Sequence, residues 1–226
     1  MAGLTTGGPN VDVSLLYEIN GLARRAPDWV DRAVSLVGDY GIPLAMVLLL
    51  LWCWRGLRRE RRQRPDEAGA AESFAALVWA PLAAGIALLV NVPLRGLVGR
   101  SRPYLEHEGL EVVGGAADGF GGAGFSFVSD HATVAMALGV GIFVANRRLG
   151  LVGIGLALLE GLCRVYMGVH YPTDVLGGLA LGTAVVLVPA PVAMAVLGPL
   201  VRGRGRGVVA RTVAVEVEAG EKDLAA

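Results

Sequence analysis

Cysteine is scarce in this chain: two in 226 residues, Cys53 and Cys163, with no CxxC pair and no Cys/His cluster. That excludes a disulfide scaffold and a structural zinc site. Charge is sparse as well. Charged residues make up 18%, below the quarter or so of soluble domains. The 20 Lys+Arg balance 20 Asp+Glu to a formal net charge of zero. A basic nucleic-acid binder, a coiled coil and a disordered tail are all excluded by that composition. Met1 to Asn20 lack the basic start followed by an apolar run that marks a cleaved signal peptide, so membrane entry is expected from internal spans. Apolar residues are what the chain has in excess. They reach 54%, with 33 glycines besides, against about 45–50% for apolar residues and glycine together in soluble domains. One small soluble core could not bury that much. The chain reads as a membrane protein.

A span needs about 20 largely apolar residues. Five stretches qualify or nearly do: about 33–54, 74–94, 131–145, 149–166 and 174–200. The third and fourth are short and are expected to extend into their flanks. Pro81, Pro189 and Pro191 fall inside these runs, which membrane helices tolerate better than soluble ones. Ahead of them, Val11 to Val30 mixes Leu15, Leu16, Ile19 and Leu22 with Glu18, Arg24 and Arg25. Its periodicity suits an amphipathic interfacial helix or a buried N-terminal turn equally well. The expected fold is all-α: a polytopic bundle of about five spans with an N-terminal interfacial helix. Residues 1–200 would form the membrane-embedded domain and 201–226 a polar cytoplasmic tail.

Arginine placement sets the orientation. Most of the 20 basic residues fall in RGLRRERRQR at 55–64, in Arg147 and Arg148, and in the tail from Arg202 onward. A five-span topology puts all of these in the cytoplasm. The loop at 95–130 and the turn at 167–173 then face outward, and Cys53 and Cys163 lie near opposite faces, too far apart to pair.

The outward span ends carry unusual company. Span two ends in Arg95-Gly-Leu-Val-Gly-Arg100-Ser-Arg102-Pro103, span three opens with Ser129-Asp130-His131, and span four ends at Arg164 before His170-Tyr-Pro-Thr-Asp174. Guanidiniums held together repel one another unless an anion sits among them, and their forked donors match phosphate oxygens. Ser129 is a natural N-cap, and a helix N-terminus attracts an anion. His170 and Asp174 are four apart, so the carboxylate could accept the ring N–H and leave the other nitrogen as a nucleophile. His131 would protonate the leaving oxygen. Phosphoryl transfer through a phosphohistidine, with arginines in place of a metal cation, suits this set best.

The ordered pattern R95-x6-R102-P103, S129-D130-H131, R164-x5-H170-x3-D174 resembles the three-part signature of the type-2 phosphatidic acid phosphatase superfamily. Its members are integral-membrane lipid phosphatases related in active-site design to vanadium-dependent haloperoxidases. The resemblance implies His170 as nucleophile, Asp174 as its orienter and His131 as general acid. It implies Arg95, Arg102, Arg164 and Ser129 as phosphate ligands, with no metal and no cofactor. Four positions depart from the usual pattern: Arg95 replaces a lysine, Cys163 a serine, and Val128 and Asp130 flank the serine in place of Pro and Gly. Asp130 before the histidine resembles the bacterial undecaprenyl-diphosphate phosphatase branch and marks this residue for substrate selectivity. The expectation is a multi-pass protein of the bacterial plasma membrane that takes phosphate from undecaprenyl diphosphate at the outer face, partnered by its lipid substrate and the surrounding lipids. Phosphatidate or phosphatidylglycerophosphate is the competing substrate. A lipid transporter or scramblase is the competing class, though it needs no His–Asp pair beside a second histidine.

Several residues read as ordinary. Arg100 lies outside the motif and is expected to anchor at the membrane interface by snorkelling. His107 is expected to be solvated. Glu160, four residues before Arg164, should pair with it. Gly114 to Gly124 reads as an outward loop, and the arginines at 55–64 as topological, with anionic lipid nearby.

Overall fold

A computed structural model describes residues 10–63, 68–114 and 124–201. The chain opens with α1 (Val11–Ala23) and α2 (Asp28–Leu36). A π-helical turn, Val37–Gly41, carries α2 directly into α3 (Ile42–Gln63). Then follow α4 (Ala68–Val98), the single turn α5 (Pro103–Glu106), α6 (Asp130–Ala145), α7 (Arg147–Tyr166), α8 (Pro172–Leu187) and α9 (Ala190–Val201). The described residues are all-helical apart from loops and one isolated bridge between Ser101 and Phe125.

The stretch at 11–30 is two helices, not one. Pro27 disfavours helix in the residue before it and starts α2 from an extended conformation, φ −65° and ψ 149°. Helix α1 packs onto the bundle: Leu16 is fully buried with Val165, Tyr171 and Val175, while Val11, Leu15 and Leu22 stay exposed. Buried Asn20 donates to the carbonyls of Glu111 and Tyr166, both at 2.8 Å, and its Oδ1 accepts the Glu111 N–H. That ties three segments together.

Among the described residues, three helical stretches are long and apolar enough to cross a membrane: Asp28–Gln63, Gly69–Val98 and Arg147–Tyr166. Helices α8 and α9 qualify jointly as a fourth, bent by 48° between them. Pro189 and Pro191 explain the bend, since proline removes a helical donor and clashes with the preceding turn. The expected third span, α6, has 16 residues and stays shorter than a full crossing. It forms the centre of the bundle, packed against α4, α7 and α8. Small residues permit this. A methyl group on Gly139 would meet the Gly153 carbonyl carbon at 2.8 Å, and one on Gly182 the Thr133 oxygen at 2.4 Å. Close backbone approach is how membrane helices gain packing energy, because lipid removes the hydrophobic drive between them. The outer faces expose Leu44, Val47, Leu48, Leu151, Leu158 and Leu162, as a lipid-facing surface should.

Antiparallel packing collects the C-termini of α4 and α7, the N-termini of α6 and α8, and the π-helical turn at one end. At the other end, Arg61 donates to the Val201 carbonyl at 3.0 Å and lies over the Phe74 ring. Cys53 and Cys163 are free and buried in separate clusters. The proposed polar tail falls outside the described residues from 202 on, as does 115–123 of the glycine-rich loop.

Candidate active site

Ser129 caps α6, its Oγ accepting the Ala132 N–H at 3.5 Å, while its own N–H donates to the Asp174 carbonyl at 3.2 Å. The starts of α6 and α8 are thereby joined. Asp130, in the first turn, is engaged on both oxygens: Oδ1 by Asn91 Nδ2 and Oδ2 by Arg95 Nη2, each at 2.5 Å. Asn91 lies one turn before Arg95 on α4 and also donates to the Val128 carbonyl at 3.0 Å. The departure from the family pattern at Asp130 is thus the ion-pair partner of the departure at Arg95.

His170 is 6% exposed. Its Nδ1 lies 2.9 Å from the Ser126 carbonyl and 3.8 Å from Asp174 Oδ2. The ring N–H therefore goes to a backbone oxygen rather than to the carboxylate the spacing suggested. Ser126 is placed by the paired strands of loop: its N–H donates to the Arg100 carbonyl at 2.8 Å, and the Arg102 N–H donates to the Gly124 carbonyl at 3.0 Å. A carbonyl accepts only, so in the neutral ring Nδ1 carries the proton and Nε2 keeps its lone pair. Burial holds the His170 pKa below the ordinary histidine value; Asp174 works against this, and Arg102 and Arg164 add to it. Burial thus favours the uncharged imidazole. His131, half-buried near the start of α6, lies within electrostatic reach of Arg164, His170, Asp39 and Asp130.

Asp174 has no exposed surface. Oδ2 accepts the Tyr171 N–H at 2.9 Å, closing the first turn of α8, and Oδ1 accepts from Arg100 Nη1 at 2.8 Å. Arg100 is not a snorkelling anchor. Its guanidinium also reaches Thr173 and Asp12 and lies 3.5 Å over the Tyr171 ring. Nor is His107 merely solvated: its ring meets Tyr17 and Tyr171 edge-on at 6.1 and 5.8 Å.

The expected phosphate-binding arginines differ in availability. Arg164 is engaged on all three nitrogens: Nε donates to Glu160 at 2.7 Å, Nη1 to Asp39 at 2.9 Å and Nη2 to the Gly38 carbonyl at 2.8 Å. The i,i+4 pairing with Glu160 is as the spacing suggested. Arg95 is tied to Asp130. Arg102 is 7% exposed, and its side chain has no hydrogen-bond or ion-pair partner among the described residues. A nearly buried guanidinium without an anion is costly unless one arrives.

Asp39, Asn91, Ser126 and Arg100 were not anticipated as parts of this site. An acidic residue within an apolar run, and an asparagine four residues before a motif arginine, carry a legible signal. Ser126 acts through its backbone and carries none. Among the described residues, no group of three or more His, Cys, Asp or Glu is placed to hold a metal ion. The arrangement offers an anion a free guanidinium, a helix N-terminus and an imidazole nitrogen with its lone pair available.

The profile of the PAP2 superfamily matches residues 76–195, which contain every motif residue above. The chain belongs to the PAP2 superfamily. It is an integral, multi-pass membrane lipid phosphatase of that superfamily. It is 30% identical over 175 residues to the "Putative undecaprenyl-diphosphatase YbjG" of Escherichia coli (strain K12), covering 76% of this chain and 78% of that protein. It is 28% identical over 151 residues to the undecaprenyl-diphosphatase BcrC of Bacillus subtilis (strain 168), covering 66% of this chain and 68% of that one. Its fold is like that of the first transmembrane PAP2 type phosphatidylglycerolphosphate phosphatase from Bacillus subtilis, with a TM-score of 0.54 at 21% identity over 80% of this chain and 86% of the other.

Proposed function

We propose that this PAP2 phosphatase hydrolyses undecaprenyl diphosphate to the monophosphate and phosphate, through a phosphohistidine on His170, at the outer membrane face. One observation carries the chemistry: buried His170 commits Nδ1 to the Ser126 carbonyl, which leaves Nε2 as the nucleophile within electrostatic reach of Arg102. Nε2 attacks the terminal phosphorus, and the bond to the bridging oxygen breaks. His131 delivers the proton that the leaving monophosphate takes up. Water then attacks the phosphorus of phosphohistidine, with His131 accepting its proton, and phosphate leaves. Arg102 meets the equatorial oxygens directly, and Arg95 and Arg164 add charge from behind their carboxylates. Ser129 and the first turn of α6 supply N–H groups to the same oxygens. Asp174 sets the orientation of the segment that carries the nucleophile.

The polyprenyl substrate is supported by Asp130 and by the two curated relatives named above. The outward site is supported by the arginine distribution, since the positive-inside rule assigns the arginine-rich stretches of the sequence to the cytoplasmic side. Acid-quenched trapping in detergent tests class and nucleophile together. Wild type should hold a labile phosphoryl group that His170→Ala lacks, with turnover down by about 10⁴-fold or more. Phosphate release that is faster from phosphatidate than from the polyprenyl diphosphate overturns the substrate. Activity surviving in His170→Ala overturns the mechanism.

A further inference from the structure

Arg100 and Asp12 have no place in the three-part motif, yet they hold the buried carboxylate next to the nucleophile. Asp12, in the first turn of α1, reaches across 161 residues of sequence: Oδ1 accepts the Thr173 N–H at 2.9 Å and Oδ2 the Thr173 hydroxyl at 2.6 Å. It thus caps α8 from another helix. The same Oδ2 accepts from Arg100 Nη2 at 2.6 Å. Arg100 Nη1 closes the ring on Thr173 Oγ1 at 2.7 Å and Asp174 Oδ1 at 2.8 Å. Both terminal nitrogens of Arg100 are therefore committed to carboxylates, and its flat face lies on Tyr171. Tyr171 is itself held by Glu106, whose Oε2 lies 3.2 Å from its hydroxyl. A phosphate approaching Arg100 would compete with two carboxylates already in place, so this arginine is poorly suited to bind substrate.

We propose that Arg100, braced by Asp12, is a positioning residue for phosphoryl transfer, and that α1 is thereby a working part of the active site. The inference rests on His170 being the nucleophile. Its reasoning is geometric. Asp174 has no exposed surface and needs a cation on Oδ1. Its other oxygen, Oδ2, faces His170 Nδ1 at 3.8 Å. Arg100 on Oδ1 and the Tyr171 N–H on Oδ2 fix that carboxylate beside the ring. Without Arg100 the carboxylate is free to turn, and the charge facing Nδ1 no longer holds the imidazole and its Nε2 in line. Substrate affinity, set elsewhere, is spared.

The experiment uses the full chain in detergent with a polyprenyl diphosphate, comparing Arg100→Gln, Arg100→Lys, Asp12→Asn, the double variant Asp12→Asn/Arg100→Gln, and His170→Ala. Arg100→Gln should lower kcat by about 30-fold or more with KM within about threefold. Arg100→Lys, which keeps a cation beside Asp174, should regain about tenfold of that loss. Asp12→Asn should cost about tenfold, and the double variant should be no slower than Arg100→Gln, because one ring is being broken twice. Three outcomes overturn the proposal: kcat within threefold in a folded Arg100→Gln, a raised KM with kcat intact, or no recovery in Arg100→Lys. Should Arg100→Gln fail to fold, Asp12→Asn decides: a fivefold or greater loss in kcat supports the clamp, and a change under twofold overturns it. An inactive His170→Ala beside a fully active Arg100→Gln removes the clamp alone. An active His170→Ala removes the mechanism beneath it.

Discussion

The two ends of the bundle are both rich in arginine, and they use it in opposite ways. On α3, Arg55, Arg58, Arg59 and Arg62 are exposed and line an open groove with Leu51 and Trp54, all on one helix. At the other end Arg95, Arg102 and Arg164 are buried, and Arg95, Arg100 and Arg164 each meet a carboxylate from a different helix. An exposed guanidinium keeps its water and adds charge to a surface. A buried one has to be answered by an anion, and the identity of that anion decides its work. Arg164 is answered by Glu160 and Asp39, Arg95 by Asp130 and Arg100 by Asp12 and Asp174. Arg102 is left for the substrate.

Three perturbations would sharpen or break that contrast. The largest effect is expected from Arg102→Gln, which removes the available cation: kcat/KM should fall by about 10²–10³-fold with little change in melting temperature. A loss no greater than that of Arg164→Gln would mean that pairing does not rank these arginines. Next comes Glu160→Ala. Glu160 is 1% exposed, and its loss leaves Arg164 with Asp39 and a carbonyl. The expected cost is about 3 kcal/mol of stability, read by thermal unfolding in detergent, and a melting temperature equal to wild type would refute it. The smallest effect belongs to Arg58→Gln/Arg59→Gln on the exposed end, where kcat should stay within about twofold and stability within about 0.5 kcal/mol. A tenfold loss of activity there would show that the two ends are coupled.

Much of this was legible in the chain itself. The apolar runs located every long helix, because hydrophobicity is summed over neighbours in sequence. Ser129 read as a cap and Glu160 as the partner of Arg164, since both contacts lie within one turn of helix. Misreadings arose where a contact is distant. Arg100 read as an interfacial anchor because its carboxylates stand 74 and 88 residues away. Asp39 reaches Arg164 over 125 residues, carried there by a π-helical turn that no local pattern announces. The stretch at 11–30 read as one helix because its apolar periodicity outweighed Pro27. Nor does composition say whether an apolar helix faces lipid or, as α6 does, other helices.

Residue order alone therefore determined that this is a helical membrane protein of the PAP2 type, with its polar motifs at the ends of apolar segments, for solvation acts on each segment separately. The folded arrangement decided which carboxylate meets which guanidinium, which carbonyl takes the His170 proton and which arginine stays open. Hydrogen bonds and ion pairs act over about 3 Å, and only packing brings residues so distant in the chain within that range.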